Sequence, residues 1–120
     1  HFVGATRHIQ AVYDGIDVVC FPSHYDAPGR PIFEAAFSGV PCIAAVTTPR
    51  PDTLVNGETG LAVPGHSPQD LAKAIMYFAD NRAEVSRMGA NARALAQRNF
   101  DPASTARELL GVYNRILQSS

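Results

Sequence analysis

Hydrophobic residues form short uninterrupted runs in the first half of this chain and recur every three or four residues in the second half. Apolar runs cover residues 18–21, 41–45 and 60–64. An uninterrupted run bounded by turn residues is typical of a strand whose two faces are both buried, as in a parallel sheet. We therefore expect a parallel sheet, with one more strand at residues 1–3.

Helical spacing predicts that helices connect these strands and follow them. Short helices are expected within residues 6–15 and 31–39, each closed by a glycine. Ser67 and Asp101 each precede a proline, which is typical of a helix start. The alternation of strands and helices predicts one α/β domain, a Rossmann-like parallel sheet with C-terminal helices. The last helix is expected to pack on the sheet through Ala106, Leu109, Leu110, Tyr113, Ile116 and Leu117.

Composition fits one globular domain and excludes several classes of function. The 120 residues are 46% hydrophobic, which is enough for a core, and carry a net charge of −1. The arginines are dispersed, so nucleic acid is not an expected partner, and no apolar run approaches the ~20 residues of a membrane span. The opening residues have the pattern of a strand rather than of a secretory signal. Cys20 and Cys42 lie inside strand runs, where we expect small buried side chains in a reducing cytoplasm and no metal-ligand spacing.

The candidate chemistry lies between the strand at 18–21 and the helix at 31–38. Asp26 and Glu34 flank a Pro-Gly turn, and Glu34 falls about one turn inside the helix. The order of strand, polar loop and helix start is the place where open α/β sheets bind ligands. Two carboxylates there can accept hydrogen bonds from the hydroxyls of a sugar nucleotide. Alternatively, Glu34 only complements the helix dipole and Asp26 only caps the loop.

The start of the same helix is a candidate anion site. Pro31 suits the first helical position, and the amides of Gly29, Arg30 and Ile32 would gather at the positive end of the helix dipole. Gly29 would allow a sharp turn or the close approach of a ligand. Phosphate groups beside sugar hydroxyls would satisfy both the amides and the carboxylates.

These motifs resemble the C-terminal domain of group 1 (family 4) retaining glycosyltransferases. That family carries two acidic residues separated by seven others, an alanine-rich helix, Gly-x-Pro and a strand. Residues 26–41 keep this spacing, with residues 21–23 before them and 56–61 after them. The first acid is Asp26 where the family usually has Glu, the loop keeps only Gly29 of two glycines, and residues 48–52 keep none. The resemblance covers roughly residues 1–65.

The resemblance implies the donor-binding half of a two-domain GT-B enzyme that transfers a sugar, with retention, from a nucleotide-diphosphate sugar to an acceptor. Glu34 would hold the ribose hydroxyls, Asp26 the hydroxyls of the donor sugar, and the amides near Gly29 and Arg30 the sugar or diphosphate. No metal, cofactor or catalytic residue is assigned within the chain. The basic pair that grips the phosphates and the N-terminal acceptor domain would precede His1, so these residues alone would be an inactive fragment of a cytoplasmic enzyme.

A second loop is expected at the same edge of the sheet. Residues 46–55 contain two prolines, Pro49 and Pro51, whose spacing argues against a helix or a central strand. The loop would bring Thr48 and Arg50 near the two carboxylates, where Arg50 could pair with a pyrophosphate. Alternatively, Arg50 is an arginine at the rim of the site that pairs with Asp52 or Glu58.

Two other classes of function are compatible with a chain of this length. A non-catalytic nucleotide-binding or assembly module stays open as an alternative. A phosphorelay receiver does not fit, because it needs an early acidic cluster and a later lysine, and the one lysine, Lys73, lies in the helix after Ser67.

The strand order implied by the resemblance also bears on assembly. Residues 1–3 would be the third strand and 18–21 the fourth, so the strands between them would be missing and 18–21 would form an exposed apolar edge. We expect residues 1–3 to shift onto that edge, or a second copy or a longer polypeptide to cover it.

Overall fold

The computed structural model describes residues 1–25, 29–65 and 67–119, which form a three-stranded parallel sheet with helices on both faces. The strands are β1 (Val19–Phe21), β2 (Cys42–Ala45) and β3 (Gly60–Val63), in the spatial order β1-β2-β3. The helices are α1 (Ile9–Asp14), α2 (Arg30–Phe37), α3 (Pro68–Asp80), α4 (Arg82–Asn99) and α5 (Pro102–Gln118). The predicted α/β parallel architecture is confirmed.

The central strand β2 explains why the sheet needs cover on both faces. All four of its residues are buried, and it pairs in parallel with β1 from Val19↔Cys42 and with β3 from Cys42↔Gly60. Cys42 and Ala44 pack toward α2, while Ile43 and Ala45 pack toward α3 and α4. Such a strand has no polar face, which is why its sequence reads as a continuous apolar run.

Helix α2 ends just before Gly39, as the sequence predicts. Gly39 has φ +74, and the amides of Gly39 and Val40 donate to the carbonyls of Ala36 and Ala35 at 2.9 Å. This pairing closes the helix with a left-handed glycine and lets the chain turn back into β2. The crossover β1–α2–β2 thereby fixes the start of α2 beside the carboxyl end of β1.

Helix α4 packs closely against α2. Ala36, Ala92 and Ala96 form a buried cluster, and a Cβ added to Gly89 would overlap the carbonyl oxygen of Gly39. Small residues permit this approach because neither helix presents a long side chain at the contact. At the other end of the contact, the rings of Phe33 and Phe100 meet edge to face, with centroids 4.8 Å apart.

The expected strand at residues 1–3 is wrong. Phe2 and Val3 are fully exposed and outside any strand, and β1 pairs only with β2 among the described residues. The outer edge of β1 therefore lies open, beside a groove of about 340 Å³ bounded by Val18 and Cys20 and by α3. The expected shift onto this edge does not occur, and cover by a second copy or a longer polypeptide stays a prediction.

Two expectations about burial are also wrong. Cys42 is buried, but Cys20 is exposed because its side chain lies on the unpaired edge strand. Helix α5 contributes no buried residue, although it was expected to pack on the sheet. Its apolar stripe instead faces outward through Leu109, Leu110, Val112, Tyr113, Ile116 and Leu117.

In the part of the chain that the structure describes, no helix is both long and apolar enough to cross a membrane. The same residues contain no cluster of three His, Cys, Asp or Glu side chains arranged to hold a metal ion.

Candidate functional site

The candidate site lies at the carboxyl edge of the sheet, where all three strands end. The segment after β1 leads into α2, residues 46–55 follow β2, and Pro64 and Ser67 connect β3 to α3. A cavity of about 180 Å³ opens at this edge, with Pro22, Ala45, Pro64 and Ser67 among its walls. The predicted site residues Arg30, Glu34 and Arg50 are not among the residues that line it. Parallel sheets gather loops from several strands at one edge, which is why ligands bind there.

Glu34 is the centre of a small hydrogen-bond network on the first turns of α2. Its Oε2 accepts from the hydroxyl of Tyr13 at 2.9 Å, and its Oε1 accepts from Nε of Arg30 at 2.8 Å. The side chain of Glu34 is 30% exposed, whereas that of Arg30 is 88% exposed. The carboxylate therefore accepts one hydrogen bond from a buried tyrosine and one from a solvent-exposed arginine.

The network shifts the titration of its members. Hydrogen bonds from Arg30 and then from Tyr13 lower the pKa of Glu34, so the carboxylate stays ionised in neutral solution. Burial, followed by the bond to Glu34, raises the pKa of Tyr13 to about 12. Tyr13 is thus a permanent donor and Glu34 a permanent acceptor at neutral pH.

The start of α2 differs in two details from its expected form. The helix begins at Arg30, so Pro31 occupies the second helical position and not the first. The amide of Ile32 donates to the carbonyl of Gly29 at 3.0 Å and is therefore not free for an anion. The amides of Gly29 and Arg30 precede this first helical bond, so of the three predicted donors these two remain candidates.

Gly29 is favoured here by packing and not by backbone torsion. Its φ of −84 is accessible to any residue. A Cβ at this position would overlap the ring of Phe21 at the end of β1. Gly29 therefore lets the helix start lie directly on Phe21, and its expected role in a sharp turn is wrong.

Residues Thr48 and Arg50 lie in the loop after β2, at the same edge. Both are exposed, and Arg50 pairs with Asp52 through Nε at 3.1 Å and Nη2 at 2.7 Å. This is the rim pairing that the sequence left open as an alternative. Asn99 at the end of α4 donates to the carbonyl of Asp52 at 3.1 Å and so holds the loop.

Asp26, the first of the two predicted carboxylates, lies outside the described residues. Its predicted role therefore stays a prediction. The separation between Asp26 and Glu34 along the chain spans the connection from β1 to α2.

Tyr13 is a member of the site that the sequence pattern did not reveal, since its spacing places it on the apolar face of α1. Tyr13 is 6% exposed and packs against Ala35 of α2 and against Val40, which precedes β2. A buried tyrosine needs a partner for its hydroxyl, and that requirement was the available signal. The partner could not be named, because Glu34 is 21 positions away.

A second carboxylate has a similar environment at a different place. Glu84 accepts from the hydroxyl of Tyr77 at 3.2 Å and from Arg87 at 2.6 Å. It lies at the start of α4, and its partner Arg87 also donates to the carbonyl of Gly57, just before β3, at 2.8 Å, so this group lies near the amino end of that strand. A tyrosine–glutamate–arginine group is therefore not a site by itself, and the position of Glu34 on the helix that follows β1 distinguishes it.

Comparison with protein families identifies the chain. The family model for glycosyl transferases group 1 matches residues 1–95. The D-inositol 3-phosphate glycosyltransferase of Corynebacterium glutamicum is 41% identical over 104 residues, which cover 87% of this chain and 25% of that protein. The chain thus spans about a quarter of the length of this curated relative.

Solved structures agree with this result. Sucrose-phosphate synthase from Thermosynechococcus elongatus superposes with a TM-score of 0.90 at 31% identity, covering 100% of this chain and 31% of that one. HepE from Anabaena, solved in complex with UDP, gives a TM-score of 0.88 at 24% identity, covering 95% and 32%. The open parallel sheet has the Rossmann-like form of GT-B glycosyltransferases, and the chain belongs to the group 1 glycosyl transferase family.

Proposed function

We propose that this chain is the nucleotide-sugar-binding part of a retaining glycosyltransferase, working with an acceptor-binding domain that these residues do not include. The donor is a nucleotide-diphosphate sugar, and the sugar passes to an acceptor bound elsewhere in the enzyme. Transfer requires an acceptor held against the donor, because proximity supplies much of the rate. The two unpaired cysteines fit a reducing cytoplasm as the place of the reaction.

The observation that carries the proposal is the ionised carboxylate of Glu34 beside the start of α2. A carboxylate accepts hydrogen bonds and cannot donate, so it suits the vicinal hydroxyls of a ribose. The helix start supplies amides and a partial positive charge within one turn, which suits the diphosphate. One short segment thus offers the two kinds of group that a nucleoside diphosphate needs.

The remaining predicted residues have roles around this centre. Asp26 would accept from hydroxyls of the donor sugar, and the amides of Gly29 and Arg30 would face the sugar or diphosphate. Thr48 and Arg50 would approach the pyrophosphate from the loop after β2, once Arg50 exchanges Asp52 for the ligand. The relatives support a sugar nucleotide: the matched protein of Corynebacterium glutamicum is named a glycosyltransferase, and HepE was solved with UDP.

Calorimetric titration of the complete gene product with UDP, GDP, ADP and CDP tests the ribose role. Glu34→Gln keeps the shape but removes the charge, so affinity for the preferred nucleotide should fall by ~1.5–3 kcal/mol. Glu84→Gln is the matched control, because that carboxylate also bonds to a tyrosine and an arginine. Unchanged affinity in Glu34→Gln would rule out the ribose role.

The substitution Asp26→Asn distinguishes a role in binding the donor sugar from a role in binding the nucleotide. If Asp26 binds hydroxyls of the donor sugar, this change should weaken binding of the sugar nucleotide by ~1.5–3 kcal/mol and leave the bare nucleoside diphosphate nearly unaffected. Equal losses for the two ligands would assign Asp26 a structural role. Binding of both ligands by a complete gene product that transfers no sugar would favour the non-catalytic module.

A further inference from the structure

The two oxygens of the Glu34 carboxylate are held by partners of very different accessibility. The donor to Oε2 is Tyr13 of α1, a residue that is 6% exposed and packed against Ala35 of α2 and Val19 of β1. The donor to Oε1 is Arg30, whose side chain is 88% exposed. The first bond is part-buried and is made by a buried tyrosine, whereas the second is exposed and available for exchange.

The strength of the two bonds follows from these surroundings. Arg30 and Glu34 are four positions apart on the surface of α2, and an exposed pair of this type gains little over solvation of its separate partners. Tyr13 can leave Glu34 only by exposing its ring or by leaving its hydroxyl without a partner, and both are costly. A ligand that approaches Glu34 from solvent therefore needs to displace only Arg30 from Oε1, and Arg30 is easily displaced.

We propose that Glu34 has one fixed and one exchangeable oxygen. Tyr13 is a positioning residue that fixes the plane of the carboxylate through Oε2. Arg30 occupies Oε1 while the site is empty, yields it to a ribose hydroxyl when the nucleotide binds, and turns its guanidinium to the diphosphate. This inference rests on the proposed function, since it describes how Glu34 would exchange a side-chain donor for a ligand donor.

The placement of Arg30 supports the second half of this exchange. Arg30 is the first residue of α2, so its guanidinium starts at the helix end that attracts anions. At the carboxylate of Glu34 it competes with ribose, but toward a diphosphate it is a charge-assisted donor. Its effect on binding should therefore have opposite signs for a nucleoside and for the nucleoside diphosphate.

Arg30→Ala tests this sign change in the complete gene product. Calorimetry is done with UDP, GDP, ADP and CDP and with their nucleosides, and the base that binds best is used. We expect the nucleoside to bind about two- to threefold more tightly and the diphosphate about fivefold more weakly. Arg82→Ala is the control, because it removes the same charge from an exposed pair with Asp17 at 2.8 Å, and it should change neither affinity.

Tyr13→Phe tests the fixed oxygen. It keeps the buried ring and removes the hydroxyl, so affinity for the nucleoside diphosphate should fall about fivefold. In the Glu34→Ala background, which leaves the Tyr13 hydroxyl no side-chain acceptor at this position, the same change should have no further effect on binding. Tyr77→Phe, which removes the hydroxyl bonded to Glu84, is the matched control and should bind the nucleotide as the wild type does.

The outcomes separate this inference from the proposed function. If the wild type binds none of the nucleotides, the proposed function fails and the inference fails with it. If the wild type binds and Glu34→Gln weakens binding, but Arg30→Ala shifts nucleoside and diphosphate in the same direction, only the exchange is overturned. A loss of thermal stability in Tyr13→Phe with unchanged nucleotide affinity would make Tyr13 purely structural and would overturn its positioning role.

Discussion

At the scale of single residues, the carboxylate of Glu34 is held by one contact within its own helix, from Arg30, and by one contact from a distant part of the chain, from Tyr13. The position of Glu34 one turn inside a helix follows from local signals, namely a breaker, a Pro-Gly turn and a helix start. Its contact with Tyr13 does not, because two residues 21 positions apart meet only once the sheet has formed. The pairing of Arg50 with Asp52 was predictable as an alternative, since those residues are neighbours in one loop.

Tyr13 should contribute a measurable pH dependence to stability. Its pKa lies at about 12 in the folded chain and near its ordinary value of 10.0 when unfolded, so the unfolded state loses the proton first. The contribution of the protonated hydroxyl is complete below pH 10 and is lost as the pH rises toward 12, a change of about 2–3 kcal/mol. Chemical denaturation of wild type and Tyr13→Phe across this range measures it.

The difference in free energy of unfolding between these two proteins should shrink as the pH rises. Burial also raises the pKa of Cys42 to about 12, but that contribution is common to both proteins and cancels. A difference that stays constant from about pH 9 to about pH 12 would contradict the buried hydrogen bond to Glu34.

At the level of elements, the contact between α2 and α4 supports the site from behind. Ala36, Ala92 and Ala96 bring the helices together, and Asn99 of α4 holds the loop after β2. The starts of α3 and α5 were predictable from Ser67 and Asp101, whose side chains cap these helices. The exposure of the apolar stripe of α5 was not predictable. An apolar stripe indicates that one face of a helix can be buried, but it does not indicate which surface buries it.

Gly89→Ala should destabilise the fold, although alanine is the better helix former. The added Cβ would overlap the backbone carbonyl of Gly39, which no side-chain rotation can relieve, so we expect a loss of about 1–3 kcal/mol. A Cβ added to Gly111 in α5 would meet no atom within 4 Å, and Gly111→Ala should instead gain about 0.5–1 kcal/mol. Urea denaturation of the two variants measures both effects, and equal shifts would contradict the close helix contact.

At the level of the whole molecule, the described residues leave two apolar surfaces open. One is the edge of β1 with its groove, and the other is the stripe of α5. The chain spans about a quarter of the length of its curated relatives. Local sequence patterns predict helices and strands, but they do not indicate which other segments pack against them. The same reason explains the error at residues 1–3, where an apolar pair has no strand beside it to complete a ladder.

The proposal that Glu34 receives the nucleotide ribose is tested most directly by a crystal structure of the complete gene product with its preferred nucleoside diphosphate. The account predicts that the ribose hydroxyls donate to the Glu34 carboxylate, that Tyr13 keeps its bond to Oε2, and that the Arg30 guanidinium has left Oε1 for the diphosphate. A nucleotide bound away from the start of α2, with the pair between Arg30 and Glu34 intact, would contradict it.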